Sequence, residues 1–342
     1  MEKVRYGILS AAQVVPRFVA GIKESAAGEV IAIASRSIEK AQKMAEELAI
    51  PLAYGSYEEL CNNLEVDVVY IATYNKGHYQ AAKLALSNGK HVLLEKPFTL
   101  KSAEAKELFA LATEKQLFIM EAQKAVFLPI STQVKDIIQQ GSIGEVKWVQ
   151  AIISYSDTSH ITWFDSLNAG GGVLRGTGNY PLHLLQFLLE QSITACEAVA
   201  TKEVGCADTQ CNLTLRFEGQ IVANIFLTVQ LDMPSKMVIY GQRGRIEIPE
   251  FWKSKQATIY YQNGTTEKLQ TTHGSEFTFE IDHVNECILS GQQRSPIMTE
   301  KITVETVSCV EKIYRQWSEK EGRGMQTGAC DEFTTEFTTP RN

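Results

Sequence analysis

An α/β fold is predicted for this chain of 342 residues: a doubly wound parallel sheet first, then an α+β unit on a large, mostly antiparallel open sheet. Three observations predict it. The first third alternates short apolar runs with amphipathic helical stretches, the pattern of a parallel sheet covered on both faces. Around Phe127-Leu128-Pro129 the pattern changes to successive strand-like stretches separated by glycine-containing turns. The length exceeds what one core usually serves, so two domains are expected. The boundaries drawn are 1–121, 122–321 and a small, polar, aperiodic tail over 322–342, expected to fray.

In the first unit, strands are expected at Val4 to Leu9, Val30 to Ser35, Asp67 to Thr73, His91 to Leu94 and Leu117 to Glu121. Helical periodicity fills Ser37 to Leu48, Gly77 to Asn88 and Ser102 to Glu114. The crossovers should be right-handed. One further helix ends near Gly141. The second unit then reads as strands at Val146 to Tyr155, Thr194 to Glu203, Gln210 to Phe217, Ile221 to Val229, Lys236 to Tyr240, Arg245 to Ile248 and Ala257 to Tyr261. A helix from Tyr180 to Leu189 interrupts these strands, and helices over Phe279 to Ser290 and Thr299 to Ser318 close the unit.

Composition excludes several functions. The net charge is −7, and no Lys/Arg stripe is interleaved with aromatics, so neither nucleic acid nor an anionic membrane surface is expected as a partner. No uncharged apolar run reaches the ~20 residues of a membrane-spanning helix. Met1-Glu2-Lys3-Val4-Arg5 leads straight into a strand, not a signal peptide, and a cytoplasmic protein is expected. The seven cysteines are scattered and never form C-x-x-C, which points away from a disulfide framework or zinc and toward a reducing compartment. The six histidines lack ligand spacing, and no metal is expected.

The first turn carries the first chemical signal. Tyr6-Gly7-Ile8-Leu9-Ser10-Ala11-Ala12-Gln13 joins the first strand to a helical stretch and reads as a degraded G-x-G-x-x-G/A loop. Aligned on Gly7, Ser10 and Ala12 stand where close backbone approach to a pyrophosphate favours small side chains. An ordinary α/β turn would look similar. The second strand ends in Ser35-Arg36-Ser37, with no acid at its tip to take a ribose 2′-OH. Two hydroxyls and a guanidinium suit a 2′-phosphate, so NADP(H) is preferred, with NAD(H) the alternative. The plain reading is that Ser37 caps the next helix and Arg36 is solvated.

A more specific signal is the run Val69-Tyr70-Ile71-Ala72-Thr73-Tyr74-Asn75, then His78-Tyr79, then Gly89-Lys90-His91-Val92-Leu93-Leu94-Glu95-Lys96-Pro97. With Met120-Glu121-Ala122, Phe127-Leu128-Pro129, Gly170-Gly171-Gly172-Val173-Leu174, Gly178-Asn179-Tyr180 and Ser295-Pro296-Ile297-Met298-Thr299, it resembles the Gfo/Idh/MocA oxidoreductase family over nearly the whole chain. The look is nearest to the branch of dihydrodiol dehydrogenases and NADP-dependent sugar dehydrogenases. The resemblance implies an N-terminal Rossmann domain whose E-K-P segment, Glu95-Lys96-Pro97, faces a nicotinamide. It places Thr73, Tyr74, Asn75, His78 and Glu95 along the cofactor, beside Gly7, Ser10, Ala11, Ala12 and Gln13. Pro97 often follows a cis peptide in this family. A lysine at a strand end can bond the reacting oxygen and favour the negative charge that develops on it.

The same resemblance makes Tyr180 the general acid/base. A phenol titrates near ~10, so it needs a neighbouring cation such as Lys96 to exchange protons at neutral pH. His183, at i+3, should share its helix face and is a candidate for proton transfer or substrate binding; a satisfied buried histidine is the alternative. Trp163 and Phe164 are candidates for a substrate-pocket wall or for plain core. Two positions depart from the family pattern: Gly176 replaces an acid that often binds sugar hydroxyls, and Val126 replaces an arginine.

The reading is an NADP(H)-dependent oxidoreductase that interconverts a secondary alcohol and a carbonyl on a small polyol, sugar or cyclic diol. Its alternatives are a non-catalytic NADP(H)-sensing regulator and an NAD-dependent inositol-type dehydrogenase. A homodimer or higher homo-oligomer through the second sheet is implied by the resemblance alone.

Overall fold

A computed structural model describes residues 3–203 and 205–321. Its first six strands are β1 (Val4–Leu9), β2 (Gly28–Ala34), β3 (Leu52–Tyr54), β4 (Val68–Ile71), β5 (His91–Glu95) and β6 (Ile119–Ala122). They form one parallel sheet in the order β3-β2-β1-β4-β5-β6. Between them run α1 (Val15–Glu24), α2 (Ile38–Leu48), α3 (Tyr57–Asn62), α4 (His78–Ser87) and α5 (Ser102–Glu114). All four residues of β4 are buried, as a strand covered on both faces requires. The core is aromatic where α1 meets the sheet: the Phe18 ring stacks on Tyr70 at 3.6 Å between centroids. Strand order reverses at β1/β4, which opens a crevice at the carboxyl ends of these strands.

After β6 come α6 (Lys124–Phe127) and α7 (Pro129–Gln139), the latter starting on a proline whose missing N–H costs nothing at a helix start. Then follow β7 (Val146–Ser154), α8 (Val173–Thr177), α9 (Asn179–Leu189), β8 (Ile193–Thr201), β9 (Gln210–Phe217), β10 (Val222–Thr228), β11 (Lys236–Gly241), β12 (Gly244–Pro249), β13 (Gln256–Tyr261) and β14 (Thr266–Gln270). They make an eight-stranded sheet in the order β14-β13-β12-β11-β7-β10-β9-β8. Only β7 and β10 pair parallel. The strict burial alternation of β9 shows one face on the core and one turned outward. Helix α10 (Thr278–Leu289) returns to the first sheet, where Tyr6 donates to Asn285 Oδ1 at 2.7 Å, and α11 (Glu300–Glu321) closes the described chain.

The α/β class and both sheets agree with the sequence reading. Five elements were not anticipated: β3, α3, α6, α8 and β14. The expected strand over Asp67 to Thr73 is shorter, so Thr73 belongs to the loop beyond β4. The tail over 322–342 lies outside the described residues. One expectation is corrected among the cysteines. Cys61, Cys196, Cys211, Cys287 and Cys309 are free and buried, whereas Cys206 is disulfide-bonded; spacing along the chain does not report proximity in the fold. Among the described residues no helix is long and apolar enough to cross a membrane, and no group of three or more His, Cys, Asp or Glu could hold a metal ion.

Candidate active site

The crevice is built from the ends of β1, β2, β4 and β5. Strand β1 runs on to Leu9, so Gly7 lies within it, where a Cβ would stand 2.6 Å from Leu60 Cδ2; it serves the packing of α3, not a phosphate loop. The loop proper begins at Ser10, whose φ of +92° is a backbone state that L side chains rarely adopt. Its N–H donates to Ala34 O at 2.8 Å, which ties the loop to the tip of β2. Ala11 and Ala12 are half-buried and Gln13 is exposed. Helix α1 follows with no side-chain cap and no acid in its first turn; Val15 N donates to Ala12 O at 3.0 Å, Pro16 has no N–H, and Arg17 N donates to Val14 O at 3.1 Å, so the turn is closed by its own backbone.

At the tip of β2, Ser35 is buried, and Ser37 caps α2 by accepting from Lys40 N at 3.3 Å. The Ser37 hydroxyl itself donates to Glu39, so the capping role anticipated for it is filled. Arg36 is exposed, lies 6.0 Å from the Tyr74 ring centre, and has no carboxylate partner among the described residues. Tyr57, from the unanticipated α3, joins this group: its phenol lies beside the Ser10 hydroxyl, and the charge of Arg36 acts on it. The Arg36 guanidinium and the flanking aromatics fit a phosphate and the adenosine of a dinucleotide.

The loop after β4 binds protein, not open space. Asn75 donates to Gly170 O at 2.8 Å, and Lys76 reaches Asn168. His78 is buried with Nδ1 at 2.7 Å from Pro97 O and Nε2 at 3.0 Å from Thr73 O, so neither ring nitrogen remains for a cofactor. It supports the Lys96–Pro97 peptide, which is cis.

The strand-end carboxylate Glu95 accepts from the Tyr70 phenol at 2.6 Å and from Lys96 N at 3.2 Å. Lys96 Nζ donates to the Gly176 carbonyl at 2.7 Å and lies 4.8 Å from the centre of the Tyr180 ring. Burial lowers the Lys96 ammonium from its ordinary value against the raising pull of Glu95 and Glu121. Burial raises the Tyr180 phenol, and the cations that oppose this are Lys124 and Arg17. Lys96 therefore meets Tyr180 through the ring face.

His183 is fully buried and turned from this pair. Its Nδ1 is 2.8 Å from Gln123 Nε2, and its Nε2 is 3.2 Å from Glu121 Oε2. The Gln123 amide nitrogen can only donate, so Nδ1 accepts from it, while Nε2 and Glu121 Oε2 face each other without hydrogen-bond geometry. The other Glu121 oxygen accepts from Phe98 N at 3.0 Å, just after the cis peptide. Phe164 is buried near Gly176, Trp163 is half-buried, and the Tyr180 ring lies 6.0 Å from Trp252. Val126 is buried in the core.

Sequence reasoning passed over Arg17, Tyr57, Glu121, Gln123, Lys124, Asp208 and Glu280. Glu121 lies on β6 and Gln123 and Lys124 directly follow it, a strand-end signal that could have found them. Asp208 and Glu280 carry no local signal; Glu280 is buried, and its carboxyl is pushed well above its ordinary value, first by burial and then by Glu95.

Comparison with known proteins gives a consistent picture. A family described as "Oxidoreductase family, NAD-binding Rossmann fold" matches residues 4–123, and "GFO/IDH/MocA C-terminal domain" matches residues 131–247. A trans-1,2-dihydrobenzene-1,2-diol dehydrogenase of Xenopus laevis is 31% identical over 310 residues, covering 86% of this chain and 92% of the relative. The Homo sapiens protein of that name is 26% identical, covering 86% and 91%. Among solved structures, an aldose-aldose oxidoreductase from Caulobacter crescentus complexed with glycerol superposes with a TM-score of 0.85 at 23% identity, over 93% of this chain and 98% of that one. KijD10, a 3-ketoreductase from Actinomadura kijaniata with NADP and TDP-benzene, gives 0.83 at 24% identity, over 92% and 98%.

Proposed function

This chain belongs to the Gfo/Idh/MocA oxidoreductase family, and from that premise we propose that it interconverts a secondary alcohol and a carbonyl on a small cyclic diol, polyol or sugar, with NADP(H) as cofactor. The observation that carries the reading is the Lys96 ammonium at the end of β5, 4.8 Å from the Tyr180 ring centre. A bound nicotinamide would supply or accept the hydride at the reacting carbon. The residues of the chain handle the oxygen. In reduction, Tyr180 gives its proton to the carbonyl oxygen, and burial keeps the phenol neutral and ready to donate. Lys96 exchanges its bond to Gly176 for one to that oxygen, where its charge offsets the negative charge that builds up. Glu95 and His78 fix the strand end on either side, and Glu121 with His183 supports the loop from behind.

Named relatives act on a trans-dihydrodiol, and Tyr180, Trp252, Trp163 and Phe164 offer an aromatic surround that suits a cyclic, weakly hydroxylated substrate. Arg36, with no carboxylate partner among the described residues, supports the preference for NADP(H). The two-domain division at about residue 121 and a cytoplasmic setting belong to the same proposal, as does self-association through the eight-stranded sheet. The test is nicotinamide absorbance with trans-1,2-dihydrobenzene-1,2-diol and a panel of sugars. Lys96→Ala and Tyr180→Phe should each lower turnover by roughly 100-fold or more while NADPH affinity stays within a few-fold. Near-wild-type rates in both variants would end the mechanism.

A further inference from the structure

The bond that holds Lys96 comes from a five-residue helix that its own sequence does not favour. Helix α8 lies between Gly172 and Gly178 and contains Gly176, so intrinsic propensity gives it little support. What holds it is a buried side chain from another element. Asp208, just before β9, is fully buried. Its carbonyl accepts from Val173 N at 2.8 Å, and its Oδ2 accepts from Leu174 N at 2.9 Å, so one residue satisfies two N–H groups of the helix start. Its Oδ1 accepts from the Tyr314 phenol of α11, and that phenol also lies 3.5 Å from Gly171 O. The Arg175 guanidinium rests 3.8 Å from the Tyr314 ring centre and donates to Leu167 O. At the far end of the helix the Gly176 carbonyl takes Lys96 Nζ at 2.7 Å.

We infer that Asp208 and Tyr314 are positioning residues for Lys96: they bracket the start of α8 and so aim the Gly176 carbonyl that holds the lysine beside Tyr180. Gly172 belongs to the same device, since a Cβ there would collide with Asp208 Oδ1. Gly176 is not demanded by packing, because a Cβ there would meet only Phe164 Cε2, at 3.9 Å. The acceptor for Lys96 is thus a backbone carbonyl whose placement depends on a buried carboxylate that the lysine does not touch.

The inference rests on the reading of Lys96 given above, but its test needs no turnover. Trace acetylation of the full chain with acetic anhydride, read by mass spectrometry, ranks the lysines by reactivity. Lys90, bonded to Asn63 O and Val66 O, and Lys124, bonded to Glu276, are both buried and serve as internal references. Asp208→Asn, and the milder Tyr314→Phe, should raise Lys96 labelling at least threefold and leave Lys90 and Lys124 within twofold of wild type. Unchanged Lys96 labelling in both variants overturns the inference. So does a rise in all three lysines together, which is what loss of the fold gives. Full turnover in Lys96→Ala would overturn the catalytic reading instead and leave the labelling result standing.

Discussion

At the scale of single residues, two glycines a turn apart have opposite reasons to be glycine. Gly172 has φ +110°, and a Cβ there would also stand 2.5 Å from the Tyr314 oxygen. Gly172→Ala should therefore cost about 3 kcal/mol or more in a urea melt, strain and collision acting together. Gly176 is helical with open space beside it, so Gly176→Ala should be neutral or stabilising by up to ~1 kcal/mol. Equal losses in the two variants would contradict this account. Arg36 is the other decisive residue. With no carboxylate partner among the described residues, its guanidinium is available for a 2′-phosphate, and Arg36→Ala should reduce the preference for NADPH over NADH by roughly tenfold or more in fluorescence titrations. An unchanged ratio would return Arg36 to the role of a solvated surface side chain. Both readings of the Ser35-Arg36-Ser37 tip were open in the sequence. The structure commits Ser37 to capping α2 and leaves Arg36 exposed without a carboxylate partner among the described residues, so the titration decides between the two.

At the scale of elements, the start of α10 is pinned to α1 and α6 by one carboxylate. Glu276 takes Lys124 Nζ at 2.7 Å and also pairs with Arg17, and both cations lie over the Phe277 ring. Burial alone would raise this carboxyl, but Lys124 and then Arg17 bring it down to about 2. A depressed carboxyl contributes stability above its ordinary value and loses that contribution as pH falls toward the folded-state value. Glu276→Gln should therefore cost on the order of 3 kcal/mol at pH 7, and the difference from wild type should shrink between about pH 4.5 and 2. A penalty that is constant over that window would mean packing, not charge, holds the junction. Which elements were legible follows from the same physics. Strands with period-two alternation, such as β9, and helices with a clear apolar stripe, such as α2, stand in the sequence as they stand in the fold. β14 is polar and mostly exposed along its length, and β3 is three residues long, so neither carries a periodic signal. Helix α8 exists because Asp208 holds it, a long-range cause invisible in its glycine-rich segment. Helix α3 could have been found: Ser56 accepts from Glu59 N at 3.2 Å, the serine and glutamate of a capping pair. Of the candidate site, the strand-end residues were readable because the fold dictates where such ends meet. His183 was found as a candidate, but the choice between proton transfer and a buried structural histidine was not readable, because its neighbours, Glu121 on β6 and Gln123 just after it, are remote in the sequence.

At the scale of the whole molecule, the eight-stranded sheet has only one face on the core. Alternation along β7 and its neighbours turns Trp148, Ile152, Phe226, Val238, Tyr240 and Tyr260 to the other face. Register places Trp148 between Tyr240 and Val222, and its ring stacks on Tyr240 at 4.8 Å. Antiparallel sheets with a solvated face usually carry polar residues there. Here aromatic and aliphatic side chains share the middle of the face with Gln150 and Asn224, the latter accepting from Trp148 Nε1 at 2.9 Å, and with the Arg245–Glu247 pair on β12. Large aromatic side chains mixed with polar groups are a common composition of a protein interface, and a sheet face that is complementary to itself suits a two-fold pairing. Light scattering of the wild-type chain should therefore give a mass of two chains or a multiple of two. Trp148→Glu puts a charge at the centre of the patch and should shift that mass to a single chain. Because Trp148 lies on the face turned from α8 and α9, nicotinamide-linked turnover per chain should change by less than about threefold. A wild-type monomer would leave this face without the partner argued for it. A variant that stays dimeric would move the interface elsewhere on the molecule.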